Sequence, residues 1–116
     1  MTHFKVDIQL PLRFNPEDGG ELIPQELFFD AHSELLELAG GISTNNNPIM
    51  GSWINPATKK RYDDKSIVFS VVVESEDRVT ITNVSKIKKL ISYKETLKKR
   101  FKQHEIFMIA TRCTWL

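Results

Sequence analysis

The chain predicts an α+β domain in which four antiparallel strands form one sheet and two helices lie on one of its faces. Three observations carry that expectation. The chain opens with apolar residues at period two. Two internal stretches repeat apolar residues every three or four positions. Two further runs, one central and one at the C-terminus, are apolar on both sides. At 116 residues this is a single domain spanning 1–116, near the commonest domain size. It is long enough to bury a core without disulfide or metal staples.

In the first element Phe4, Val6, Ile8, Leu10, Leu12 and Phe14 alternate with Lys5, Asp7, Gln9 and Arg13. Period two over this length makes a strand with one buried face. The turn formers NPEDGG then end it. Pro24 suits the first position of a helix. Leu27, Phe28, Ala31, Leu35 and Leu38 fall on one face of that helix, and Gly40–Gly41 stops it. The asparagine run and NPIMG are expected as loop, GSWI as a short strand and NPATKK as a turn. From Tyr62 to Glu74, Ile67, Phe69, Val71 and Val73 share one side while Val68 and Val72 take the other. Apolar on both sides, this run is expected inside the sheet. Thr82 or Asn83 is a candidate cap for the second helix. Its stripe is Ile87, Leu90, Ile91, Tyr93, Leu97 and Phe101, and EIFMIATRCTWL closes the chain as a strand.

Strand, helix, strand, strand, helix, strand, with both helices on one face of an antiparallel sheet, is the ferredoxin-like sandwich. Both stripes must turn to the same face, so the two helices lie side by side. Between Phe14 and Thr58 there is no Lys or Arg, and the first helix is acidic; residues 85 to 103 hold half of the chain's 16 basic residues and one acid, Glu95. Opposite charges therefore meet along the helix pair.

Composition excludes several classes. With 41% hydrophobic and 27% charged residues the chain is an ordinary globule rather than a disordered or collagenous one. Cys113 is the only cysteine, so no internal disulfide forms, and no Cys–His cluster offers a structural zinc site. MTHFKVDIQLPLRF lacks the continuous apolar run of a signal peptide, and no stretch approaches a membrane span. The expected setting is a reducing cytoplasm, without a membrane partner.

The basic run raises the question of a polyanion. On a helical wheel Lys88, Lys99 and Lys102 point away from the stripe and Lys89 and Arg100 lie at its flank, as on any solvated helix. Lys94 and Lys98 lie close to the line of Ile87, Ile91 and Phe101. There they either lay their methylenes over apolar surface or meet a carboxylate of the first helix. The sharper alternative is anion, nucleotide or nucleic-acid binding through Lys94, Lys98, Lys99, Arg100 and Lys102. Against it, Tyr93 and Phe101 belong to the buried stripe and cannot stack on bases, and a pI of about 7.9 is low for such a domain.

A lesser alternative is metal-dependent phosphodiester chemistry at Asp7, Asp63 and Asp64. Neighbouring residues on a strand point to opposite faces, so Asp63 and Asp64 converge only if a bulge intervenes. His3, His32 and His104 show no metal spacing, no GxSxG elbow occurs, and Cys113 suits a core position. No glycine-rich phosphate loop precedes a helix. Catalytic residues, metal and cofactor are accordingly not assigned.

The helix-free face is the remaining candidate. Val68 and Val72 put apolar surface among Lys5, Asp7 and Gln9, with Trp53, Tyr62 and Trp115 at its border. Either loops fold over that patch, or a second copy or another protein covers it. The first hypothesis is thus a non-enzymatic module that self-associates or binds a protein partner.

The segments AGGIS, GSW, RYDD and SYKETLKKRFKQHEIFM, in that order, resemble those of a group of small uncharacterised bacterial proteins. That group shares a GG turn, a Gly-x-Trp strand, a Tyr-x-Asp segment and a YK-x-x-L-x-x-RF-x-Q-x-x-I run. The resemblance spans nearly the whole chain and implies the same architecture in a bacterial cytoplasm. Ala39 stands where the group often has an aromatic, and the asparagine-rich loop is a further departure. The same element order occurs in PII-type signalling proteins, trimers that bind nucleotides near their subunit junctions. That likeness is topological, and a shared fold does not transfer function.

Overall fold

The computed structural model describes residues 1–116. Strands β1 (Thr2–Pro11), β2 (Ser43–Ile54), β3 (Arg61–Ser75) and β4 (Met108–Cys113) form one antiparallel sheet in the order β2-β3-β1-β4. Helix α1 (Gln25–Ala39) follows β1 and helix α2 (Ser85–Arg100) follows β3. This is the ferredoxin-like sandwich that the periodicities predict. No helix is long and apolar enough to cross a membrane.

Register explains the core. Phe4, Val6, Ile8 and Leu10 of β1 stand opposite Val73, Val71, Phe69 and Ile67 of β3. Their side chains share one face of the pleat, and Ala31, Leu35 and Ala39 of α1 pack on it beside Ile87, Leu90 and Leu97 of α2. Both helices therefore cover the same side. Burying each large aliphatic side chain there contributes roughly 1.5–3 kcal/mol. Across the helix pair, the Glu34 carboxylate accepts hydrogen bonds from Arg100 Nη1 at 2.6 Å and Tyr93 Oη at 2.7 Å. That contact realises the expected meeting of acidic and basic helices.

Connections follow local chemistry. In the first turn the Asn15 carbonyl accepts from the backbone N–H groups of Asp18 and Gly20. The buried Asn15 amide donates to the Lys102 carbonyl at 3.3 Å, tying this turn to the end of α2. Gly40, at φ +83°, closes α1 with its N–H on the Leu36 carbonyl; a side chain would strain that left-handed cap.

Three expectations need correction. The asparagine run and NPIMG are strand rather than loop: β2 is continuous from Ser43 to Ile54, with a bulge between Asn45 and Ile49. β2 pairs with β3 alone, so its outer edge tolerates Pro48, which cannot donate to a ladder. Neither Thr82 nor Asn83 caps α2; they lie in a 3-10 turn, and Val84 holds the cap position without a side-chain bond. Ile91 is about half exposed, at 49%. It lies roughly 100° round the helix from Leu90, at the rim of the arc that Leu90, Leu97 and Phe101 centre.

Candidate functional site

Residues that alternate with the core positions of β1 and β3 face the side without helices. Lys5, Asp7 and Gln9 stand there opposite Val72, Ser70 and Val68. β4 adds Ile109 opposite Asp7, and Phe107 lies just beyond, its carbonyl accepting from the Gln9 N–H at 3.0 Å. β2 adds Ile49 opposite Ser66. Val68 and Val72 are half-buried, while Phe107, Ile109 and Ile49 are exposed by 42%, 58% and 41%. The chain's own loops thus leave apolar surface open on this face, toward its β4 and β2 edges, with Val68 and Val72 half-buried between them.

Of the five residues predicted for a partner contact, Val68 and Val72 lie centrally. Trp115 stands at the end near His3, stacked on its ring at 6.1 Å and largely exposed. Trp53 is half-buried at the opposite end, 5.6 Å from the Tyr62 ring and 6.5 Å from His104. Tyr62 differs from expectation in being buried, at 7% exposure. Its hydroxyl donates to Glu17 at 2.7 Å, so it anchors the β2–β3 hairpin instead of offering a contact.

Glu17 is the hub of that anchorage. Besides Tyr62 it receives the Lys60 ammonium at 3.0 Å and lies 3.2 Å from His104 Nε2. The Tyr62 hydroxyl first, then Lys60, lowers its carboxyl pKa from the ordinary 4.5 to about 2. In turn, Glu17 raises the pKa of both Tyr62 and Lys60. Sequence reasoning missed Glu17 because its partners lie 43, 45 and 87 positions away, beyond any local pattern.

The basic residues of α2 are dispersed. Lys94 pairs with Glu105 at 2.8 Å, Lys98 approaches Glu95 at 3.6 Å and Arg100 holds Glu34 at 2.6 Å. Lys94 thus meets a carboxylate of the segment after α2 rather than one of the first helix. The Lys102 ammonium sits 5.3 Å from the Phe14 ring centroid, and Lys99 faces solvent.

The acidic trio does not assemble. Asp7 stands opposite Ser70 and accepts its hydroxyl at 2.6 Å. Ser70 is six residues from Asp64 along β3, roughly 20 Å at strand rise. Asp63 points to the opposite face from Asp64, beside Ser52, and binds Ser52 Oγ and Arg61 Nε. A shared metal among the three is geometrically ruled out.

No protein-family model and no curated protein matches the chain. A solved structure of the B. subtilis GlnK–ATP complex is similar in fold, at 14% identity and a TM-score of 0.49, over 97% of this chain and 82% of that one. A likeness so distant carries no functional argument. The fold assignment rests on the strand order and helix placement described above.

Proposed function

We propose that the chain is a non-enzymatic binding module that self-associates through its helix-free sheet face. The observation that supports this reading is the open apolar surface of Phe107, Ile109 and Ile49 around Val68 and Val72. Large exposed apolar side chains grouped on one sheet face are costly in water and mark contact surfaces. Size agrees. Four strands at about 4.8 Å spacing and roughly 30 Å length give a face of about 600 Å² in projection, close to the ~800 Å² per partner of a stable contact.

A second copy fits better than a charged partner. The face carries few charges, and two of them, Lys5 and Asp7, sit 3.7 Å apart and offset each other. A strongly charged surface would require the opposite sign across the contact; this one can meet itself. Kinship with the small bacterial group quoted above, and a cytoplasmic setting, belong to the same proposal. The anion-binding alternative loses ground because Lys94, Lys98 and Arg100 are already engaged by carboxylates.

The test places a charge on the exposed apolar surface, at the β4 edge of the face. Ile109→Lys, at an exposed position, leaves the fold intact and shifts the protein to monomer in light scattering. If the assembled mass is unaffected by both Ile109→Lys and Phe107→Glu, the contact lies elsewhere.

A further inference from the structure

On the helix-bearing side of the sheet the outermost strand is left uncovered. β2 contains no buried residue and contributes no side chain to the core. Between it and α1 runs a groove of about 470 Å³, walled by Phe28, Phe29 and His32 and floored by Thr44, Ile67 and Phe69. Thr44 stands opposite Phe69, whose ring meets His32 of α1 edge-on at 6.1 Å. The groove is therefore on the reverse side from the proposed self-contact. Its lip is apolar. Leu22 and Phe29, which both line it, are exposed by 62% and 64%, and Leu36, also exposed, follows Phe29 by seven residues. Seven residues return a helical side chain to within about 20° of the same direction. Phe29 and Leu36 thus form one line roughly 10 Å long.

The charges beside this groove are uneven. Neither α1 nor β2 contains a Lys or Arg. Glu26 and Glu37 lie about 60–80° round α1 from Phe29, on the side away from His32, and Glu21 precedes Leu22. All three are exposed and unpaired; the ion pair of α1 is Glu34 with Arg100, on the other flank, where Asp30 also acts on Arg100. Two cations stand near the ends of the groove. Arg13, opposite Leu22, is held on the Gly20 carbonyl, and Lys65, unpaired, stands opposite Met50, beyond Ile67. Lys59 and Lys60 belong to the turn before β3, roughly 20 Å along that strand from Ile67. The apolar lip is thus bordered by acids along its length and by one free cation at its hairpin end.

We propose that this groove receives a basic amphipathic helix of another protein. Its apolar residues lie between Phe29 and Thr44, and its Lys or Arg side chains meet Glu21, Glu26 and Glu37. A helix fits better than an added strand, because the bulge and Pro48 interrupt the outer edge of β2 along which a strand would pair. The line from Phe29 to Leu36 offers two helical turns of contact, which apolar side chains at i, i+3 or i+4, and i+7 can read. A second copy does not supply the occupant. The apolar face of its α2 already covers its own sheet, leaving Ile91 as that helix's one exposed large apolar residue. Its α1 would bring acid to acid. The groove is independent of the self-contact proposed above, which lies on the opposite side of the sheet.

The test is fluorescence anisotropy of a labelled peptide of about 18 residues, with leucines at that spacing and lysines along one flank. A counterpart with glutamate for lysine and one of scrambled order are compared, and amide NMR of the full chain maps the bound peptide. The lysine peptide is expected to bind saturably as a helix and to shift the signals of Phe29, Leu36 and Thr44. Phe29→Asp, at an exposed position, is expected to weaken it at least about tenfold, as for loss of an aromatic anchor. Glu26→Lys combined with Glu37→Lys is expected to reverse the preference between the lysine and glutamate peptides. Ile109→Lys, on the other face, leaves the affinity unchanged. No binding of the lysine peptide would overturn the proposal, as would equal affinity for the scrambled one. So would indifference to both Phe29→Asp and the double charge reversal, or a peptide bound in extended form along the β2 edge. Lysine-peptide binding by a chain that proves monomeric supports the groove and removes only the self-contact.

Discussion

Glu17 shows how one carboxylate can position a hairpin. It lies in the turn after β1, yet it holds Tyr62 and Lys60 at the base of β3. Its pKa in the folded chain, about 2, is below the ordinary 4.5, so folding favours its ionised form. The stabilisation is therefore complete above about pH 4.5 and fades as pH falls toward 2. Urea midpoints of the parent and of Glu17→Gln should differ at pH 6 and converge across that window. A constant gap down to pH 2 would mean that the carboxylate charge is irrelevant. Glu34 makes the parallel case between the helices. Arg100 is the main cause of its lowered pKa, opposed by burial and helped by Tyr93. Glu34→Ala leaves both donors without their acceptor and should cost about 1–2 kcal/mol in chemical denaturation. None of these contacts was legible in the sequence. Each joins residues at least 43 positions apart, and only the general meeting of an acidic with a basic helix could be read from charge.

Among the elements, α2 offers the sharpest contrast. Leu90 is 1% exposed and Ile91 49%, although both belong to the apolar pattern. Leu90→Ala should cost about 2–5 kcal/mol, whereas Ile91→Ala should stay within about 0.5 kcal/mol. Comparable losses would mean that the helix is rotated from the orientation described. Apolar spacing located this helix but not its rotation to within one residue, because Lys94 lies inside the covered arc and escapes by pairing with Glu105. β3 was legible throughout and β1 as far as Pro11, short of the Phe14 to which its alternation runs, since alternation and two-sided apolarity leave few alternatives. β2 was not. Asn45, Asn46, Asn47 and Pro48 have the composition of a turn, and the strand persists there because Ser43–Asn45 and Ile49–Ile54 both pair with β3 on either side of the bulge. Pairing with a strong neighbour overrode weak local propensity.

At the scale of the whole molecule, two helices cover one face of the sheet and leave Phe107, Ile109 and Ile49 exposed on the other. The sequence indicated that open face through Val68 and Val72, but Phe107 and Ile109 could be assigned to it only once the β1–β4 register was known. Tyr62, read from the sequence as a border contact, proved to be buried hairpin anchorage. The proposed contact requires that a second copy cover the apolar residues of this face. Sedimentation equilibrium of the unaltered chain across a wide concentration range tests that most directly. A mass rising above the 13.4 kDa of one chain to a defined multiple is the expected result; a mass that stays at 13.4 kDa at the highest concentration would contradict it.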